Sequence, residues 1–186
     1  MLSNPFYEIN LPISDPLNLE VDELYKKAKF IHTGMAIMSK EYLKVELIET
    51  LAFANIDLKD FVVWNWDKTK NYRVHTDGDY FSDKKRLCGI NWNFTPTTSV
   101  KFFDSENGRP FSRGTSEIDF STYWLFQGDP RVISEWSGFG PVIFNPQIPH
   151  QVSFNDYDTR FRRSITLRFR ETFSSLYEKL KGKNYV

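Results

Sequence analysis

The spacing of apolar residues changes period twice along the chain, near residue 60 and near residue 171. Before the first change, Leu24, Ala28 and Ile31 recur at helical spacing behind Asn18, a side chain suited to capping, and predict a helix over 19–30. Ser39 precedes a second stripe of Leu43, Leu47, Ile48 and Leu51, which predicts a helix running to about Asn55 with its apolar face packed on a sheet. Ahead of both, Pro5, Pro12 and Pro16 interrupt short apolar pairs and leave room for one short edge strand.

From Asp60 onward the pattern is that of strands. Phe61-Val62-Val63-Trp64-Asn65-Trp66 is rich in branched and aromatic residues, and a polar turn leads from it to a strand carrying His75. Further strands are predicted at 86–94, 99–104, 118–126, 132–135, 142–144, 151–154 and 163–169, separated by turn formers such as Asn107-Gly108 and Asp129-Pro130. Helical spacing returns over 171–183, with Leu176, Tyr177 and Leu180 on the inner side. Helices followed by closely spaced strands imply an α+β chain with a double-stranded β-helix core of the jelly-roll, cupin-like kind. The 186 residues fit one domain: helical support over 1–58, the jelly-roll core over 59–170 and a C-terminal helix over 171–186.

Composition narrows the function classes. A formal charge of +0 gives no basic field for duplex nucleic acid or an anionic membrane. The single cysteine, Cys88, rules out an internal disulfide framework and a cysteine-built zinc site. No apolar run has the length of a membrane span, and the first residues lack the order of a secretory leader, so a soluble, cytoplasmic chain is expected.

Residues two apart on a strand share a face, so His75 and Asp77 are able to reach one ion together. A third ligand has to come from His32 or His150 if it is a histidine. His32 stands alone in Ile31-His32-Thr33-Gly34 and reads as a turn or surface residue, whereas His150 ends a segment, 140–150, that reads as a buried strand and a rigid turn. His75, Asp77 and His150 would form a two-histidine, one-carboxylate set, which suits non-heme Fe(II) and leaves coordination positions open.

Farther on, Arg162 and Ser164 share one face of a basic strand, while Arg163, Ile165, Leu167 and Phe169 share the other. An arginine inside a jelly roll needs an anionic partner, because an unpaired buried charge is costly. Its planar fork suits a carboxylate, and the Ser164 hydroxyl adds a third hydrogen bond. Arg160 has the same parity and is the alternative. Asn91 and Asn93 are polar residues in an aromatic strand, either of which is a candidate contact to cosubstrate or substrate, with hydrogen bonding within the sheet the equal alternative. Trp64, Trp92, Trp124 and Trp136 are candidates for the walls of a substrate cavity.

The order His75-x-Asp77, then His150, then Arg162-x-Ser164 resembles the 2-oxoglutarate and Fe(II)-dependent dioxygenase superfamily over residues 61–170. The segment 143–150 is similar to the strand and turn that present the distal histidine in its peptidyl hydroxylase branches, prolyl or aspartyl/asparaginyl. The resemblance implies that His75, Asp77 and His150 bind Fe(II), and that Arg162 and Ser164 bind the distal carboxylate of the cosubstrate 2-oxoglutarate. It further implies O2 as the oxidant, with succinate and CO2 as products beside a hydroxylated C–H bond on a peptidyl or amino-acid side chain or a small molecule. Asp77 favours hydroxylation over halogenation, since halogenating relatives lack this carboxylate. Two other readings stay open: a cupin-like metal-dependent isomerase or oxygenase without 2-oxoglutarate, and a non-catalytic jelly-roll binding domain.

Overall fold

The structure is a computed structural model that describes residues 4–31, 34–69, 73–77, 88–95, 98–113, 121–155 and 160–186. Its strands, in chain order, are β1 (Phe6–Glu8), β2 (Met35–Met38), β3 (Leu58–Asp67), β4 (His75–Asp77), β5 (Gly89–Asn93) and β6 (Thr98–Phe103). They continue as β7 (Gly108–Arg113), β8 (Ser121–Phe126), β9 (Val132–Trp136), β10 (Val142–Phe144), β11 (His150–Phe154) and β12 (Phe161–Phe169). The helices are α1 (Val21–Lys27), α2 (Val45–Phe53) and α3 (Phe173–Lys181). All strand pairs are antiparallel, in two six-stranded sheets ordered β1-β10-β5-β12-β3-β2 and β7-β8-β4-β11-β6-β9. Among the described residues no helix is long and apolar enough to cross a membrane.

The large core sits on the outer face of the first sheet. Phe61 and Val63 of β3, Ile90 and Trp92 of β5, and Ile165 and Leu167 of β12 are buried there in one cluster with Leu24, Leu47, Leu51, Leu176 and Leu180 of the helices. Alternation along each strand then turns the intervening residues toward the second sheet. A smaller apolar cluster, Val100, Phe102, Trp136, Val142 and Phe144, lies there together with a cavity.

The helices are shorter than their apolar spacing predicts, because the capping side chains act elsewhere. Asn18 donates its side-chain amide to the Glu41 carbonyl instead of closing the first turn, and α1 starts at Val21. Ser39 accepts from Glu41 N and caps only a short 3-10 turn, Lys40–Tyr42. Leu43 then bridges Leu17 in extended conformation, and α2 starts at Val45. Thr172 caps α3, and Phe173 joins Leu176 and Leu180 as its buried side.

Two strands have no forerunner in the sequence reading. Continuously apolar β2 pairs only with β3, and β7 carries Pro110. That proline is tolerated because β7 is an edge strand, where a missing N–H breaks no central ladder. Gly34, with φ of +78°, turns the chain into β2 at a point where an added Cβ would lie 2.3 Å from the Asn65 carbonyl oxygen. Glycine is required there on both counts.

Candidate metal centre

His75 opens β4 and His150 opens β11, and these two residues are direct register partners across the ladder. Their rings lie 4.5 Å apart, centroid to centroid. Each Nδ1 is 2.9 Å from a backbone carbonyl two residues earlier, Arg73 for His75 and Ile148 for His150. A carbonyl only accepts, so each Nδ1 carries the proton and each Nε2 keeps its lone pair. Both Nε2 atoms are 3.7 Å from the same oxygen, Oδ1 of Asp77. One ligand atom from each of the three lies within 4.8 Å of the others, and all three side chains are buried. The donor set therefore fits a metal ion: two nitrogens with fixed tautomers and one carboxylate oxygen converge on one point.

One turn, 145–148, positions two of these three residues. Asn145 accepts from Gln147 N at 3.0 Å through Oδ1 and from Ile148 N at 3.2 Å through its carbonyl. The turn reaches Asp77 from both sides: Asp77 N donates to Pro146 O at 2.9 Å, and Gln147 Nε2 donates to Asp77 O at 2.8 Å. Gln147 is thus a support of the site that sequence reasoning missed. Its one signal is that it lies in the turn before His150.

The cavity beside the three residues measures about 600 Å3 with its mouth included, and both sheets line it. Arg162 lines it and is 4% exposed, with no ion pair or hydrogen bond among the described residues, and its Nε is buried without a partner. Burial pushes the guanidinium's pKa down to about 10, the result of removing a charge from water without an anion to replace it. Arg160 is exposed instead, 3.7 Å from Asp67 and stacked over Phe161, and takes no part in the cavity. Ser164 and Thr166 follow Arg162 on the same face and also line the cavity. Thr166 Oγ1 accepts from Trp64 Nε1 at 2.9 Å, which directs its own proton elsewhere. Beneath this wall Tyr25 of α1 donates to the carbonyls of Trp64, at 2.6 Å, and Ser164, at 3.3 Å. Burial raises that phenol far above its ordinary range, so it stays a donor.

The two asparagines separate. Asn91 lines the cavity, and its Oδ1 is buried with no donor. Asn93 is not among the lining residues and bonds within the protein: its amide donates to Thr95 O at 2.8 Å and Thr98 Oγ1 at 3.1 Å, and its Oδ1 accepts from Thr95 N at 3.1 Å. All of this closes the turn after β5. Of the four tryptophans read as walls, Trp64 and Trp136 line the cavity. Trp92 belongs to the helix-side core, and Trp124 donates to Thr76 on the reverse face of β4. Trp66, which sequence reading did not single out, stacks between Trp64 (5.1 Å) and His75 (6.4 Å). His32, Gly78 and the run 79–83 lie outside the described residues.

Compared with protein-family models, curated proteins and solved structures, the chain matches none.

Proposed function

We propose that this chain is an Fe(II)- and 2-oxoglutarate-dependent oxygenase on a double-stranded β-helix of the cupin-like kind, hydroxylating an unactivated C–H bond. The observation that carries the reading is Arg162, a buried guanidinium without an anionic partner among the described residues, in the same cavity as a His–Asp–His group. A lone metal group suits many activities, and a lone buried arginine is a liability. Together they define a site for a metal and an organic anion at once. The strand order gives further support, because the ligand strands β4 and β11 are neighbours in one sheet while β12, bearing Arg162, is central in the other.

His75, Asp77 and His150 would hold the metal, which when bound supplies the redox chemistry that lets O2 react with a C–H bond. Arg162 and Ser164 hold the distal carboxylate of 2-oxoglutarate, the guanidinium through two parallel bonds and the hydroxyl through a third. Asn91 lines the same side of the cavity, where its Nδ2 would be the donor offered to the cosubstrate. The backbone carbonyls of Arg73 and Ile148 keep both imidazoles in the ligating tautomer. The apolar walls exclude water. Overall, a C–H substrate, O2 and 2-oxoglutarate become the hydroxylated product, succinate and CO2. A peptidyl or amino-acid side chain remains the favoured substrate class, on the likeness of segment 143–150.

The test is anaerobic calorimetric titration of the chain with Mn(II), then with 2-oxoglutarate, followed by measurement of succinate release with Fe(II) in air. Saturable binding of both, with slow succinate formation even without substrate, is expected. Metal binding without any affinity for 2-oxoglutarate would return the chain to a cupin-like activity that lacks this cosubstrate.

A further inference from the structure

The cavity's charged and polar lining is fully allotted by the reading above. His75, Asp77 and His150 would face the metal, Arg162, Ser164 and Asn91 would face the cosubstrate, and the Thr166 hydroxyl already accepts from Trp64. All other described lining residues are apolar or aromatic, and they are arranged in two ways. On one side of the ligand set, Trp66 stacks at 28° on Trp64 and at 30° on His75, a flat platform that leads from a half-buried indole to a metal ligand. On the other side, Phe102 and Phe144 flank His150, at 6.0 and 5.7 Å between centroids, and Val100, Val142, Val152 and Trp136 continue the wall.

We propose that the group hydroxylated at this site is an uncharged, apolar one, aliphatic or aromatic, seated against the Phe102–Phe144–Val142 wall. Asp77 and Arg162 are the only described carboxylate and guanidinium of the lining, and under the oxygenase reading the metal would answer the first and the cosubstrate carboxylate the second. A carboxylate or ammonium brought in with a substrate would lose its water and find no counter-charge left over among the described lining residues, which costs more than the contact returns. An apolar group loses nothing on entry and gains contact area with flat rings. This inference rests on the oxygenase reading for the allotment of Arg162. A free small molecule and a peptide side chain offer the same chemistry.

The experiment uses the full chain with Mn(II) and saturating 2-oxoglutarate and reads binding by ligand-observed NMR. Three probes of one shape are compared, toluene, benzoate and benzylammonium, together with a capped phenylalanine pentapeptide. Toluene or the peptide is expected to bind at least about tenfold more tightly than either charged probe, and whichever of the two binds better identifies the source. Val142→Asp should reverse the order toward benzylammonium. Val142→Thr, nearly isosteric, should weaken the neutral probe several-fold and serves if the aspartate variant does not fold. Equal or tighter binding of a charged probe overturns the inference, as does failure of every neutral probe while Mn(II) and 2-oxoglutarate bind. If toluene binds but Mn(II) or 2-oxoglutarate does not, the oxygenase reading falls and the hydroxylation with it, and only the apolar preference of the wall stands.

Discussion

His75 and His150 face each other as the register pair of β4 and β11, and each is held by a carbonyl two residues back along its own chain. The two imidazoles are therefore set by the same local device on neighbouring strands, and the carboxylate of Asp77 lies 3.7 Å from both Nε2 atoms.

Removal of either ring should abolish the site without unfolding the protein. His75→Ala and His150→Ala are each expected to weaken Mn(II) binding by more than the roughly 10–100-fold typical when only a hydrogen-bonding partner of a ligand is lost. Calorimetry measures this, and circular dichroism checks that the strands remain. Retained affinity in either variant would mean that the metal sits elsewhere.

Arg162 gives a prediction about stability in the absence of ligand. Its guanidinium is buried without a counter-charge among the described residues, so Arg162→Met should stabilise the ligand-free protein, on the order of 1–4 kcal/mol. The same change should erase the rise in melting temperature that 2-oxoglutarate produces in the unaltered chain. Denaturant and thermal scans with and without the cosubstrate separate the two effects.

Asn91 and Asn93 should respond in opposite ways. Asn91→Ala is expected to lower 2-oxoglutarate affinity through loss of its Nδ2 donor, with little loss of stability, because its Oδ1 has no donor among the described residues. Asn93→Ala removes three hydrogen bonds of a buried turn and should cost about 1–3 kcal/mol while leaving cosubstrate affinity nearly unchanged. Parallel titrations and unfolding curves of the two variants decide.

Cys88 should be inert in the folded protein. Burial first, and the Glu171 charge second, raise its thiol from the ordinary 9.0 to about 12, and its Sγ–H donates to Glu171 O. Iodoacetamide at about pH 8 should therefore modify it only after unfolding. The sign for stability follows: above pH 9.0 the unfolded chain gives up a proton that the native one keeps until about 12. The contribution is thus complete below pH 9 and lost as pH climbs from 9 toward 12. Cys88→Ala should flatten that part of the stability curve.

Strand parity was the most legible feature of the sequence. The alternation in β12 that puts Arg162 and Ser164 on one face and Ile165, Leu167 and Phe169 on the other is present as read. So is the convergence of His75, Asp77 and His150, which needs only the two-residue period and a shared end of two strands. What escaped depends on contacts distant in sequence. Asn18 caps no helix because Glu41 comes near it, and β2 is a strand because β3 offers it an edge. Gln147 became a support of Asp77 only when the turn at 145–148 met β4. The role of Asn93 turned on Thr98, five residues on but across a turn.

The alternation of β12 also bears on how such a protein changes over generations. Positions 163, 165, 167 and 169 answer to the helices, and positions 162, 164 and 166 answer to whatever occupies the interior. Point substitutions in the second group are free to explore new ligands while the first group keeps the chain folded. A single-residue deletion within the strand would exchange the two groups and forfeit both tasks at once.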